Sequence, residues 1–515
     1  MSISQIQKHY SPGRAFSLVT LLLVSVASLC VAKETPAKAV APAKTVAAAD
    51  KPVQVVRVNV TNQAYDFIRP WSKKAPFSRH ALGSVLANNR VLVTAELVAN
   101  ANYVELEKAA SGEKTVATVD VVDYEANLAI LKPVDDKFLN GIKPLELTEA
   151  HVGDHVSAWQ LEDTGALLGT AGLVTNVEVS RYPIDDTALL IYQITSSLQY
   201  RDSSFTVPVV KDNKLIGILM RYDTRTQNVD LIPTPVIQHF LTDAAKKEYR
   251  GFPRTGVAFA PMRDPQLRRY VGLKSDETGG VYVTDVLRHG PGDKAGLQVG
   301  DVLLAIGDKA IDQDGNYADP QYGKIALSNF ISTDNFDGDV VKFKIIRKGV
   351  PSVVDVTLSH RPVEDYVIEP YTIGRPPKYI VLGGLVLQEL TGQYLKEWGA
   401  EWYKKAPQKF VYMDQYQSEL FPEGHRKIVF LSQVLPSPAT IGYEDLNSLV
   451  ISKINDIPLN SIADVDRAVK NPVNGFHKIE FEESPTVIYL DAKQVEAESA
   501  QLMKSYGLPT LKRIE

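Results

Sequence analysis

KAGLQVGDVLLAIGDKAI (294–311) decides how this sequence is read. Gly296 and Gly300 punctuate a turn, VLLAI (302–306) is a short aliphatic strand, and Gly307-Asp308 supplies a two-residue hairpin turn. Shifted by 148 positions, VLLAIGDKAI (302–311) overlays VISKINDIPL (450–459). Val302 meets Val450, Ile306 meets Ile454 and Asp308 meets Asp456, and the other apolar positions swap conservatively. An internal repeat of this kind means two modules of one fold. Around the first copy, IALSNFIS (325–332) reads as a helix, and VVKFKIIRKG (340–349) with VVDVTL (353–358) as a hairpin. After the second copy comes a helix, SIADVDRAV (461–469), opened by Ser461 with Asp464 three residues on.

Upstream, from Val53 to about Val236, short β-branched runs alternate with turns: VQVVRVNV (53–60), RVLVTAELV (90–98), VATVDVVDY (116–124), NLAILKPV (127–134), HVSAWQL (155–161), GLVTNVEV (172–179), ALLIYQI (188–194) and KLIGILM (214–220). The spacing fits an all-β barrel or a sandwich, and periodicity does not choose between them. IPTPVIQHFLTDAAKKEY (232–249) then reads as a helix begun near Pro235, with Val236, Phe240 and Ala244 on one face. Gly251 and Pro253 break it.

The 515 residues suggest about three domains at ~150 residues each. Lys and Arg number 56 against 61 Asp and Glu, a net charge of −5, which argues against a nucleic-acid partner. The single cysteine, Cys30, excludes an intrachain disulfide framework and a Cys-based zinc site. The nine histidines are scattered without an H-E-x-x-H pair, so no metal and no other cofactor is expected. Lys8, His9 and Arg14 precede an apolar run from Phe16 to Ala32, short for a membrane span. Residues 1–32 therefore read as a signal peptide, and 33–52, rich in Ala, Pro and Lys, as a flexible linker. The expectation is an exported body, periplasmic or extracellular, with no membrane span after cleavage.

The order of the β segments resembles the chymotrypsin-like protease domain of the HtrA/Deg serine proteases. The matching stretches are LGSVL (82–86), RVLVTAELV, ANLAILK (126–132), GLVTNVEV, KLIGI (214–218) and IPTPVI (232–237). Within that family, LSQVLPSPATIGYEDLNSLVISKIND (431–456) and KSYGLP (504–509) are similar to the plant-type Deg proteases with two PDZ-like domains. The resemblance implies a mainly β chain with some α. A chymotrypsin-like double β-barrel (53–250) is followed by a first PDZ domain (251–365) and a divergent PDZ-like domain (366–515).

It also implies where a triad would lie. A serine attacks the carbonyl, a histidine takes its proton, and an aspartate orients the histidine. The histidine motif, typically T-N-A-H-V, reads V-T-A-E-L here, which puts Glu96 at that position. The aspartate that opens D-L-A-L-L is Asn127 in N-L-A-I-L. The G-N-S-G-G-P stretch becomes QYRDSSFTVPVV (199–210). Counting forward from QIT (193–195) puts Ser203 at the nucleophile position, and counting back from Pro208 puts Phe205 there; Ser203 needs the smaller insertion. The glycines that bring backbone N–H groups around an oxyanion are gone. A carboxylate, with an ordinary pKa near ~4, is a poor base for a serine hydroxyl and lacks the imidazole geometry that passes the proton to the leaving amine. Losing triad members costs on the order of 10⁴–10⁶ in rate. His80, His151 and His155 read as surface or packing histidines.

PDZ domains add a peptide as a strand on a sheet edge and take its carboxylate with backbone N–H groups. By resemblance that loop is Arg254, Thr255, Gly256 and Val257, followed by Phe259. Leu327, Phe330 and Ile331 lie on the groove-side helix as pocket or core residues. YIVLGGLVLQEL (379–390) replaces the loop in the second copy, which is read as an assembly element. WGAEWYKKAPQKFVYMDQYQ (398–417) is an aromatic-rich insertion, either a satellite core or an interface. The expected function is an exported pseudo-protease that binds peptides or protein C-termini as a scaffold or quality-control adaptor, and the family implies a homo-oligomer. The alternatives are an active serine endopeptidase with an atypical site around Ser203, or a holdase chaperone.

Overall fold

The structure, a computed structural model, describes residues 54–162, 166–184, 187–199, 206–273, 278–424 and 426–515. The expected signal peptide (1–32), the linker (33–52) and both nucleophile alternatives, Ser203 and Phe205, lie outside the described residues.

Six strands close the first barrel in the order β1-β2-β3-β6-β5-β4: β1 (Val55–Asn62), β2 (Phe77–Leu86), β3 (Arg90–Val93), β4 (Ala101–Glu107), β5 (Lys114–Asp123) and β6 (Leu128–Pro133). The two-residue period of β1 puts Val56, Val58 and Val60 in the barrel core. Its outward residues meet β4, where Arg57 pairs with Glu107 at 2.9 Å and Asn59 donates to Glu105 at 3.2 Å. The second barrel closes as β10-β11-β12-β9-β8-β7, from β7 (His155–Leu161), β8 (Leu167–Arg181), β9 (Ala188–Ser196), β10 (Pro208–Lys211), β11 (Lys214–Asp223) and β12 (Asn228–Pro233). The choice left open between barrel and sandwich thus falls to two barrels.

Some boundaries differ from the sequence expectation. RVLVTAELV is a strand only to Val93; a short helix, α1 (Ala95–Val98), follows because Ala95, Leu97 and Val98 bury themselves against the first barrel. The helix expected over 232–249 is α2 (Thr234–Ala244), since Ile232 and Pro233 complete β12. The helix stops where the Asp243 carboxylate accepts the N–H groups of Arg250 and Gly251 at 2.7 and 2.8 Å.

The first PDZ domain is a sheet in the order β13-β14-β15-β19-β20, with β13 (Val257–Pro261), β14 (Val281–Val286), β15 (Val302–Ile306), β19 (Val340–Arg347) and β20 (Val350–Thr357); β16 (Lys309–Ala310) pairs with β15. A hairpin of β17 (Asn316–Asp319) and β18 (Gly323–Ala326) leads into helix α3 (Leu327–Ser332). That helix is shorter than the expected 325–332, because Ile325 and Ala326 pair with Tyr317 and Asn316. The last domain is a sheet ordered β27-β26-β24-β23-β22-β21-β28, with β21 (Tyr379–Leu382), β22 (Leu385–Glu389), β23 (Val429–Val434), β24 (Leu449–Ile454), β26 (Phe476–Phe481), β27 (Val487–Asp491) and β28 (Lys512–Arg513). β25 (Ile457–Pro458) pairs with β24. Its helices include α4 (Gln408–Gln415), α5 (Ile462–Ala468) and α6 (Ala492–Tyr506).

The aromatic insertion settles as a satellite core that is also an intramolecular interface. Phe410 and Tyr394 pack edge-on against Phe430, and Phe67, from the loop between β1 and β2, joins the same cluster. The same loop is tied down by Lys74, which pairs with Glu397 at 2.6 Å.

Candidate functional site: a roofed cleft and a peptide groove

The cleft lies where α1 meets the loop between β5 and β6. In α1 three residues face the core, so the fourth, Glu96, faces outward and is exposed. The β5–β6 loop turns on Asp123, whose Oδ1 accepts the Ala126 N–H at 2.8 Å. Asn127 follows, buried, at φ +54°, a region asparagine enters more readily than most residues. Its Oδ1 accepts the Glu96 backbone N–H at 2.9 Å. The structure therefore brings Glu96 and Asn127 together, with the amide holding the backbone of the helix rather than a side-chain base. Arg79 donates to the Glu96 carbonyl at 2.6 Å, and among the described residues the Glu96 carboxylate has no hydrogen-bond partner. Across the cleft the Thr94 N–H donates to the Thr206 hydroxyl at 3.1 Å, joining the two barrels. His80 is occupied elsewhere, its Nδ1 2.7 Å from Asn59 Oδ1.

The cleft carries a roof that the sequence did not reveal. Tyr371, Ile373 and Lys396 of the last domain face Glu96, Asn127 and Ile184 across a cavity of about 320 Å³. The Gly374 N–H donates to Asn100 Oδ1 at 2.9 Å, and the Tyr371 ring meets Tyr124 edge-on at 5.8 Å.

The candidate peptide groove is the outer edge of β13, the first strand of its sheet. Gly256 at φ +65° turns the preceding loop, and its carbonyl accepts the Leu287 N–H at 2.7 Å. The Thr255 carbonyl accepts the Gly292 N–H at 2.8 Å. Val257 and Phe259 are part-exposed on the strand, whereas Leu327 and Ile331 of α3 are buried in the domain core at 2% and 5% exposure. A cavity of about 550 Å³ opens beside the loop, between Arg254, Gly256 and Val257 on one side and Phe421 and Glu423 of the last domain on the other.

Arg254 does not aim its guanidinium into the groove. Nη2 lies 2.8 Å from Glu125 Oε2 and also donates to Thr187, while Nη1 donates to the Tyr366 hydroxyl at 3.3 Å. Glu125 is 2% exposed, in the same loop as Asn127, and its other oxygen sits 3.3 Å from His360 Nε2. Burial alone would raise the Glu125 carboxyl, but the His360 hydrogen bond and the Arg254 charge outweigh it and hold the group below the usual carboxylate range. Burial likewise opposes a charged His360, and Glu125 overturns that, raising the imidazole above its ordinary value. Neighbouring Asp123 moves the other way, pushed up by burial and by the Glu125 charge against a hydrogen bond from Tyr249. Sequence reasoning missed this hub. Only D-Y-E-A-N (123–127) marks it locally, and its partners come from positions more than a hundred residues away.

Two closed six-stranded barrels with a cleft between them, followed by PDZ-type domains, define a chymotrypsin-like protease fold with peptide-binding modules. Comparison with known proteins narrows the class. A PDZ domain family profile matches residues 368–512 and a second PDZ profile matches 282–319. Protease Do-like 2, chloroplastic, of Arabidopsis thaliana is 29% identical over 472 residues, covering 88% of this chain and 74% of the relative. The probable periplasmic serine endoprotease DegP-like of Rickettsia prowazekii is 25% identical over 243 residues, covering 44% of this chain and 45% of the relative. The solved HtrA-type protease AlgW with decapeptide covers 60% of this chain and 96% of its own, at 19% identity and a TM-score of 0.46. The chain is HtrA/Deg-like: it is similar to proteases of that kind and carries two matches to PDZ profiles. Among the described residues no helix is long and apolar enough to cross a membrane.

Proposed function

We propose that this chain is a pseudo-protease: an HtrA/Deg-like protein that grips peptides or protein C-termini through its first PDZ domain and no longer cuts them. One observation carries the reading. Asn127 is engaged by the Glu96 backbone N–H, so neither residue offers an imidazole or an acid to orient one. The roof of Tyr371 and Ile373 supports it, since an extended substrate has to enter where those side chains lie. The open edge of β13 and the cavity beside Gly256 support peptide capture. The domain limits 53–250, 251–365 and 366–515, an exported location, a homo-oligomer and a role as scaffold or quality-control adaptor belong to the same proposal. The periplasmic designation of the Rickettsia relative agrees with export.

The test pairs two measurements on purified full-length protein. Unfolded casein is expected to survive incubation equally with the wild type and with Ser203→Ala, and Ser203 is expected to resist a fluorophosphonate probe. C-terminal peptides are expected to bind, and Gly256→Val to weaken that binding at least tenfold (about 1.4 kcal/mol). Casein turnover abolished by Ser203→Ala overturns the pseudo-protease reading; peptide binding indifferent to Gly256→Val overturns the groove.

A further inference from the structure

The cavity under the roof has walls from two domains. The barrels supply Glu96, Asn127 and Ile184, and the last domain supplies Tyr371, Ile373, Gln393 and Lys396. Its volume of about 320 Å³ sits at the lower end of small-molecule pockets, roughly 300–1,000 Å³, which are mostly apolar with a few placed polar groups. The roof stands without a ligand, because the Gly374 N–H donates to Asn100 Oδ1 at 2.9 Å and the Tyr371 ring meets Tyr124 edge-on. The site is therefore preformed, which lowers the cost of binding.

The polar groups at its walls are incompletely matched. Asn127 is 2% exposed and uses its oxygen on the Glu96 N–H. Its Nδ2 has no acceptor among the described residues, so a buried amide donor is left at the cavity wall. The Gln393 side chain has no hydrogen-bond partner among them either. On the barrel side the Glu96 carboxylate stands without a hydrogen bond or an ion pair among the described residues. On the roof side Lys396 brings an ammonium group, whose Nζ donates to the Pro370 carbonyl at 3.3 Å. One wall thus carries a negative group and the facing wall a positive one, with Ile184, Ile373 and the Tyr371 ring as apolar surface between them.

We propose that this cavity binds a single aliphatic α-amino acid as its zwitterion. Glu96 takes the ammonium group, Lys396 and the Asn127 amide take the carboxylate, and Ile184 and Ile373 take the side chain. The charges select this class. A simple anion meets the Glu96 carboxylate and a simple cation meets Lys396, whereas a zwitterion answers both walls. A metal ion has no place here, since among the described residues no three ligating side chains gather. The volume suits one residue rather than an extended peptide. A ligand seated there touches barrel and roof together and so fastens the roof over the cleft. The site uses neither Ser203 nor the first PDZ domain, so it stands or falls apart from the pseudo-protease reading.

The test titrates the purified full-length protein with L-leucine, beside N-acetyl-leucine, leucine amide and the dipeptide leucyl-leucine. Leucine is expected to bind at one site with a Kd below about 1 mM. Acetylation, which removes the ammonium charge, and amidation, which removes the carboxylate, are each expected to weaken binding at least tenfold. The acetylation penalty is expected to vanish in Glu96→Gln and the amidation penalty in Lys396→Gln, the signature of a direct pairing. In hydrogen exchange, leucine is expected to slow the amides of Tyr371 to Ile373 at least threefold. No binding at about 10 mM leucine, penalties that persist in both variants, or binding without slower exchange in that segment overturns the proposal. Tighter binding of leucyl-leucine than of leucine overturns the assignment to a single amino acid. If Lys396→Gln fails to fold, the ligand series on the wild type and on Glu96→Gln, a change at an exposed position, decides alone.

Discussion

The first PDZ domain and the last one share strand register, helix position and the glycine that turns into the groove strand, yet their outer edges face different things. Among the described residues no strand pairs with the outer edge of β13, whereas β21 pairs with that of β22. The two are also fastened to the protease barrels by different physics. The first is held by a buried ionic hub, in which Arg254 and His360 close on Glu125. The last is held by aromatic packing, in which Phe67 enters the cluster of Tyr394, Phe410 and Phe430. The same strand order thus ends in an edge without a strand partner in one domain and in a paired edge in the other, among the described residues. Fold and task separate at the site.

The sharpest way to break this contrast is to remove charge from the hub. Arg254→Ala leaves the buried Glu125 carboxylate without its guanidinium partner, and a loss of about 3–5 kcal/mol in urea unfolding is expected. A loss below about 1 kcal/mol, the ordinary level of a surface pair, would say that the hub is ornamental. Next come Gly256 and Gly384, which precede β13 and β22, strands that pair with β14 and β23 in the same register. Gly384→Ala drives a Cβ into the Leu435 carbonyl from a backbone at φ +119°, and about 3 kcal/mol of destabilisation is expected from strain and overpacking. A Cβ placed on Gly256 would meet no atom nearer than 3.3 Å. For Gly256→Ala about 1–2 kcal/mol is therefore expected, from its left-handed backbone alone. Equal costs at the two sites would erase the structural difference between the turns.

The smallest effect is a pH dependence. The folded state raises His360 above its ordinary value, so its contribution is complete below a pH of about 6.5 and fades as pH rises through the raised value. His360→Gln removes that contribution. The wild type's advantage in thermal midpoint over His360→Gln is expected to be greatest near about pH 6 and to shrink towards about pH 9. An advantage that grows with pH would mean that the imidazole is held neutral against Glu125.

The strands of the barrels were legible because their period is local. In HVSAWQL the strand limits read from sequence and structure coincide, and KLIGILM lies within β11. The failures sit where tertiary packing overrides local preference. RVLVTAELV looks like one strand, but burial of Ala95, Leu97 and Val98 winds its second half into α1. Leu327 and Ile331, which the sequence left open between pocket and core, are buried. Arg254, placed in the carboxylate loop by resemblance, lies in that loop while its guanidinium answers a carboxylate 129 residues earlier in the chain. No pattern near Arg254 reports that pairing.

By itself the sequence determined the repeat, the alternating strands and the chemistry present at Glu96 and Asn127, because periodicity and residue identity are properties of neighbours along the chain. Only the tertiary structure decided that β21 covers the outer edge of β22, that Tyr371 and Ile373 roof the cleft, and that Glu125 binds Arg254. Each depends on segments distant in sequence meeting in space, where strand edges must find partners and buried charges must be matched.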